Sequence, residues 1–86
     1  MIRVLIADDH AVLRDGLRYL LGAQADIEVV GDAGDGREAV RRAADLEPDV
    51  ALVDVAMPGL NGVEATRQIA EVCAGTKVVM LSMHST

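Results

Sequence analysis

The sequence predicts an α/β domain, a doubly wound parallel sheet built in the order β-α-β-α-β-α-β. Three observations carry this expectation. Short apolar runs alternate along the 86 residues with longer stretches whose apolar residues repeat at helical spacing. The runs are apolar almost without interruption, as in strands covered on both faces. The joins between them are short, which favours right-handed crossovers and a parallel sheet with helices on both sides.

Ile2 to Ala7 is the first such run. Leu13, Leu17, Leu20 and Leu21 follow at helical spacing, with Arg14, Asp15 and Arg18 expected on the opposite, outward side. Ile27 to Val30 reads as the second strand. Asp35 is placed to cap a helix from Gly36 to about Leu46, which buries Val40 and a stripe of alanines. Pro48 stops that helix and leads into the third strand, Val50 to Val53. Asn61, with Glu64 three residues later, reads as a capping box opening a helix that carries Val63, Ile69, Ala70 and Cys73. Gly75 ends it, and Val78 to Leu81 is the fourth strand.

Composition narrows the chemistry. A chain of 86 residues holds one domain, and a domain near this size buries only about 60% of the surface that its unfolded chain exposes. Tyr19 is the sole aromatic residue, so the core is aliphatic. A single cysteine, Cys73, excludes an intrachain disulfide and a cysteine-based zinc site, and it reads as a small core residue. The net charge of −6 argues against a nucleic-acid surface within these residues, since phosphate binding needs clustered Lys and Arg. Arg37, Arg41 and Arg42 read as one solvated helix face. The start of the chain lacks a signal-peptide layout, and no apolar run reaches the roughly 18 residues of a membrane span. The expectation is a soluble, cytoplasmic protein with no membrane partner.

In parallel sheets, ligands sit at the carboxyl ends of the strands, beside the point where strand order reverses. Strand one ends in Asp8 and Asp9, strand three in Asp54 and strand four in Ser82. Carboxylates brought together in one crevice repel one another, and a divalent cation removes the conflict. Hard oxygen donors with retained waters suit Mg²⁺ better than a soft metal. Beside such a cation an aspartate can attack phosphorus, giving an aspartyl-phosphate, while Ser82 donates a hydrogen bond to the phosphoryl group. Pro58 and Gly59 shape the loop after Asp54: Pro58 fixes φ and Gly59 tolerates positive φ. His10 reads as a helix-start residue rather than a ligand, and His84 as an exposed loop residue within reach of the mouth of the site.

The segments 2–10 (IRVLIADDH), 14–17 (RDGL), 29–33 (VVGDA), 36–39 (GREA), 48–50 (PDV), 54–62 (DVAMPGLNG) and 78–82 (VVMLS) resemble a known family. It is the receiver domain of bacterial two-component response regulators, in the LuxR/NarL/FixJ-type subfamily that carries a C-terminal helix-turn-helix. The resemblance covers the whole chain. It implies a flavodoxin-like fold with strand order 2-1-3-4, Asp54 as phosphoacceptor, and a sensor histidine kinase as phosphodonor. It also implies Mg²⁺ held by Asp8, Asp9, Asp54 and the backbone carbonyl of Ala56, with Ser82 as the switch hydroxyl. Ala56, Met83 and His84 become candidate modulators of phosphoryl lifetime. In the intact protein, phosphorylation would control DNA binding through a domain outside this chain.

Residues 1–86 are expected to form an incomplete receiver, lacking the fourth helix, fifth strand, fifth helix and DNA-binding domain. The family's fifth-strand lysine and aromatic switch residue are then missing; Lys77, the sole lysine, begins strand four. Strand four becomes an open edge and one sheet face is left bare, so self-association through either is expected. Three other readings compete with this one. A receiver serving only as an interaction module is compatible with the missing lysine. An aspartyl phosphatase of the haloacid-dehalogenase type needs a different spacing after strand one than Asp8-Asp9-His10. A flavodoxin-like FMN carrier needs amides in place of Asp8 and Asp9, and aromatics around the flavin.

Overall fold

A computed structural model describes residues 1–57 and 59–81. Its elements run β1 (Ile2–Ala7), α1 (Ala11–Gly22), β2 (Ile27–Ala33), α2 (Gly36–Leu46), β3 (Val50–Asp54), α3 (Gly62–Val72) and β4 (Lys77–Leu81). The four strands form one parallel sheet in the order β2-β1-β3-β4. This is the flavodoxin-like arrangement expected from the sequence. The order reverses between β1 and β3, so the carboxyl ends of those two strands flank the crevice in which such folds bind ligands.

The main core lies between the sheet and the α2–α3 pair. Leu5, Ala7, Ala33, Ala51 and Val53 from the sheet meet Ala39, Ala43, Ile69 and Met57. Alanines on α2 allow the close approach of helix to sheet that a chain with few large side chains requires. Glycine serves the same end at Gly36, where a Cβ would stand 1.9 Å from the Leu60 carbonyl oxygen. Asp35 caps α2 by accepting from the Glu38 backbone N–H at 2.8 Å, and the Glu38 carboxylate accepts from the Gly34 N–H at 2.9 Å. Asn61 likewise caps α3, accepting from the Glu64 N–H at 2.9 Å. The reciprocal half of that capping box is absent, because the Glu64 carboxylate pairs with Arg67 and Gln68 instead.

Four expectations need correction. β2 continues to Ala33, three residues past Val30, because Gly31, Asp32 and Ala33 pair with Leu5, Ile6 and Ala7 after a one-residue register shift. β4 begins at Lys77 rather than Val78. On α3 the inward stripe is Gly62, Ala65 and Ile69, continued by Cys73 just past its end, whereas Val63 is 65% exposed and Ala70 faces solvent. Val63 and Ala70 each follow an inward residue by one, about 100° away around the helix, so they turn outward. On α1, Leu13, Leu17 and Leu21 are half-buried, but Leu20 is 63% exposed and no residue is fully buried. That helix covers only the β1–β2 side of its sheet face. Ile6, Leu52 and Val79 pair across the same face; Ile6 is buried while Val79 is 46% exposed.

Cys73 is buried as expected. Its Sγ lies 2.9 Å from the Thr76 hydroxyl, which donates to the Pro48 carbonyl at 2.6 Å. That pair of contacts ties the α3–β4 turn to the end of the α2–β3 connection. Among the described residues, no helix is long and apolar enough to cross a membrane.

Candidate functional site

Backbone pairing sets the site. β1 ends at Ala7, and the Asp8 N–H continues the ladder by donating to the Ala33 carbonyl at 3.0 Å. β3 ends at Asp54, and the following Val55 N–H donates to the Leu81 carbonyl at 3.0 Å. Since β1 and β3 are paired in register, Asp8 and Asp54 emerge side by side. Asp54 is fully buried and Asp8 is 1% exposed. One ligand atom from each of Asp8, Asp9, His10 and Asp54 falls within a sphere of mutual distances no greater than 4.8 Å.

The hydrogen bonds use half of each buried carboxylate. Asp54 Oδ1 accepts from the Ala56 N–H at 3.1 Å, a turn that fixes the side chain against its own loop. Asp8 Oδ1 accepts from the His10 N–H at 2.7 Å and lies 2.9 Å from His10 Nδ1. Asp8 Oδ2 and Asp54 Oδ2 are buried and have no partner among the described residues. A buried carboxylate oxygen without a donor is costly, because the lost hydration is not replaced. Two such oxygens in one crevice are best explained by a cationic ligand, and this all-oxygen carboxylate set fits a hard divalent ion.

His10 is drawn into the same group. Its Nδ1 also lies 3.2 Å from Asp9 Oδ1. The hydrogen bond to Asp8, and then the charge of Asp9, raise the imidazole pKa above its ordinary 6.5. Arg14 is a second contributor that the sequence reading missed, having been placed on the outward side of α1. Its Nη1 donates to the Asp8 backbone carbonyl at 2.6 Å, and its Nε lies 3.6 Å from Asp32 Oδ2 on β2. The guanidinium thus fastens the first turn of α1 to the ends of β1 and β2. The signal available was position: a long side chain in the first turn of α1 lies at the carboxyl edge of the sheet.

Of the residues singled out from sequence, Asp8, Asp9 and Asp54 come together as expected. Ala56 is exposed beside them, and Gly59 adopts φ of 71°, the positive value expected for the loop. The expectations for Pro58, Ser82, Met83 and His84 fall outside the described residues. Asp35, Arg37, Gly59 and Leu60 line a separate open cleft of about 320 Å³.

Residues 4–86 match the family model described as the response regulator receiver domain. The transcriptional regulatory protein LiaR of Bacillus subtilis is 51% identical over 82 residues, 95% of this chain and 39% of LiaR. The response regulator domain of Thermotoga maritima CheB superposes with a TM-score of 0.90 at 48% identity, covering 95% of this chain and 60% of that one. A LuxR-family two-component response regulator from Aurantimonas gives 0.91 at 33% identity, covering 99% of this chain and 61% of that one. The chain therefore spans well under half the length of the curated relative.

Proposed function

The chain belongs to the response regulator receiver domain family, and on that premise we propose that it is the phosphoacceptor module of a two-component response regulator. Asp54 is the nucleophile. A sensor histidine kinase presents a phosphohistidine; an Asp54 oxygen attacks phosphorus, the P–N bond breaks, and the imidazole leaves with its electron pair. The acyl phosphate that results resides on Asp54.

The observation that carries this reading is the pair of unpartnered buried oxygens, Asp8 Oδ2 and Asp54 Oδ2, at the carboxyl ends of adjacent strands. Asp8, Asp9, Asp54 and the backbone carbonyl of Ala56 would hold Mg²⁺. When bound, the ion supplies the positive charge that lets an anionic phosphodonor approach an anionic crevice. The chain's own groups do the rest. The Ala56 N–H holds Asp54 Oδ1 and so fixes the orientation of the carboxylate, and Arg14 fixes the Asp8 main chain from behind. Ser82, next after β4, is proposed as the hydroxyl that answers phosphorylation, with Ala56, Met83 and His84 tuning its lifetime.

The module is a switch rather than an enzyme with turnover, and it acts in the cytoplasm. Residues 1–86 make up the front part of the receiver. As LiaR is a transcriptional regulator, DNA binding by a further domain of the intact protein is the proposed output.

The test of the central reading is intact mass after incubation with Mg²⁺ and a small-molecule phosphodonor. One added phosphoryl group is expected on the wild type, and none on folded Asp54→Asn. Equal labelling of both would place the acceptor elsewhere.

A further inference from the structure

We propose that His10 turns the acidic crevice into a mixed nitrogen and oxygen site, which binds a first-row transition dication such as Co²⁺ in preference to Mg²⁺. The inference rests on the reading of Asp8, Asp9 and Asp54 as cation ligands, and it names the class of ion those ligands select. Spacing is the first argument. His10 Nδ1 stands 2.9 Å from Asp8 Oδ1 and 3.2 Å from Asp9 Oδ1. Ligand atoms about 2.0–2.1 Å from one ion lie about 3.0 Å apart along an octahedral edge and about 3.3 Å along a tetrahedral one. His10 Nδ1 therefore already stands from each of the two carboxylate oxygens at the separation of neighbours around a single metal.

The local fold accounts for that spacing. His10 sits at the N-cap of α1 with extended backbone, φ −98° and ψ 107°, and makes no side-chain cap hydrogen bond. Its own N–H donates to Asp8 Oδ1, closing a tight turn that brings the ring back over the acidic pair. A histidine serving the helix would accept from a backbone N–H further along it; here the ring faces the carboxylates instead. The imidazole is more than half exposed, so it can meet an ion entering from solvent without giving up a buried position. The orphaned oxygens of Asp8 and Asp54 supply the independent sign that a cation belongs in the crevice.

Selectivity follows from donor chemistry. Mg²⁺ prefers oxygen and keeps its waters, gaining little from imidazole. Co²⁺, Ni²⁺ and Zn²⁺ bind imidazole well, and affinity across the row rises with the ion's capacity to accept such donors. An all-oxygen crevice would discriminate weakly; one nitrogen at ligand distance adds a term that Mg²⁺ does not share.

The test is calorimetric titration of the whole chain with MgCl₂ and with CoCl₂ at pH 7.5, for wild type and His10→Asn. Thermal melts in EDTA check that the variant is folded. Wild type should bind Co²⁺ at least about tenfold more tightly than Mg²⁺. His10→Asn should lose about tenfold or more in Co²⁺ affinity while Mg²⁺ affinity shifts by less than about threefold. In the Mn²⁺-loaded protein, electron spin echo spectra should show coupling to a directly bound ¹⁴N that disappears in His10→Asn. Equal loss of both ions would mean that His10 only orients Asp8, and would overturn the inference. So would unchanged Co²⁺ affinity, or nitrogen coupling that persists in the variant. A folded wild type that binds neither ion would instead remove the cation site itself, and with it the reading on which this one rests.

Discussion

Replacing Asp54 by Asn should stabilise the metal-free protein, although Asp54 is one of its most deeply buried polar residues. Asp8 and Asp54 are buried, and one carboxylate oxygen of each lies within 4.8 Å of the other. At an effective dielectric constant near 20, two unit charges at that distance repel by about 3.5 kcal/mol. Each charge is shared over two oxygens, and a protonated His10 offsets part of it, so about 2 kcal/mol is the expected relief. The substitution keeps the Oδ1 acceptor for the Ala56 N–H at 3.1 Å. It also puts an amide donor where Asp54 Oδ2 had no partner, in the same crevice as the orphaned Asp8 Oδ2. For a domain of this size, about 2 kcal/mol corresponds to a rise of roughly 8–16 °C in Tm. The assay is thermal unfolding by circular dichroism in EDTA and again in excess Mg²⁺. The ion should raise the wild-type Tm, by an increment equivalent to about 2.7 kcal/mol at 100 times its Kd, and raise that of the variant far less. A variant that melts below wild type in EDTA would refute the reasoning, since it would show that the Asp54 charge is held by favourable contacts rather than opposed by Asp8.

Glycines at two positions give opposite expectations. A Cβ at Gly62 would stand 2.3 Å from the Asp54 carbonyl oxygen and 2.6 Å from Val55 Cα, so Gly62→Ala should cost about 3 kcal/mol or more and weaken Mg²⁺ binding by displacing the Asp54 loop. Gly16, inside α1 with nothing within 4 Å of its Cβ direction, should gain about 0.8–1 kcal/mol as Ala; denaturant melts of the two variants compare them directly. Thr76→Val removes the hydroxyl donated to the buried Pro48 carbonyl and should cost about 1–2 kcal/mol in the same assay. The His10 pKa is raised by Asp8 and then Asp9, so in metal-free protein the protonated ring favours folding below the unfolded value of 6.5, and this contribution fades as pH rises through the folded value. Ring-proton NMR titration should show that folded pKa moving down when Mg²⁺ is added, because ion and proton compete for the same carboxylates; an unchanged value would place the ion away from His10.

The residues legible in the sequence were those whose place the backbone dictates. Asp8 and Asp54 each follow an uninterrupted apolar strand, and pairing between neighbouring strands brings such ends together whatever the side chains do. The caps at Asp35 and Asn61 were legible for the same reason, since each contact is made by a short side chain to a backbone group three residues on. What escaped depended on reach or on a partner. β2 runs past Val30 because Gly31, Asp32 and Ala33 find partners on β1, although only Ala33 is apolar enough to extend the run. The inward face of α3 is set by Gly62 and Ala65, which pack by being small, so a reading that followed the larger Val63 chose the wrong stripe. Arg14 and His10 are the instructive pair. Both start from α1 or its cap, and each reaches the acidic crevice by a side-chain route: a guanidinium to the Asp8 carbonyl at 2.6 Å, an imidazole to the Asp8 carboxylate at 2.9 Å. Charge makes those routes favourable. An acidic crevice attracts every cation that can reach it, so the chain's own basic groups reveal its electrostatics before any ligand is added. Arg14 acts on the main chain, where it leaves the carboxylate oxygens free, whereas His10 acts on Asp8 Oδ1 itself. That difference is why Arg14 can stay in place when an ion binds, while His10 must either yield its hydrogen bond or become a ligand.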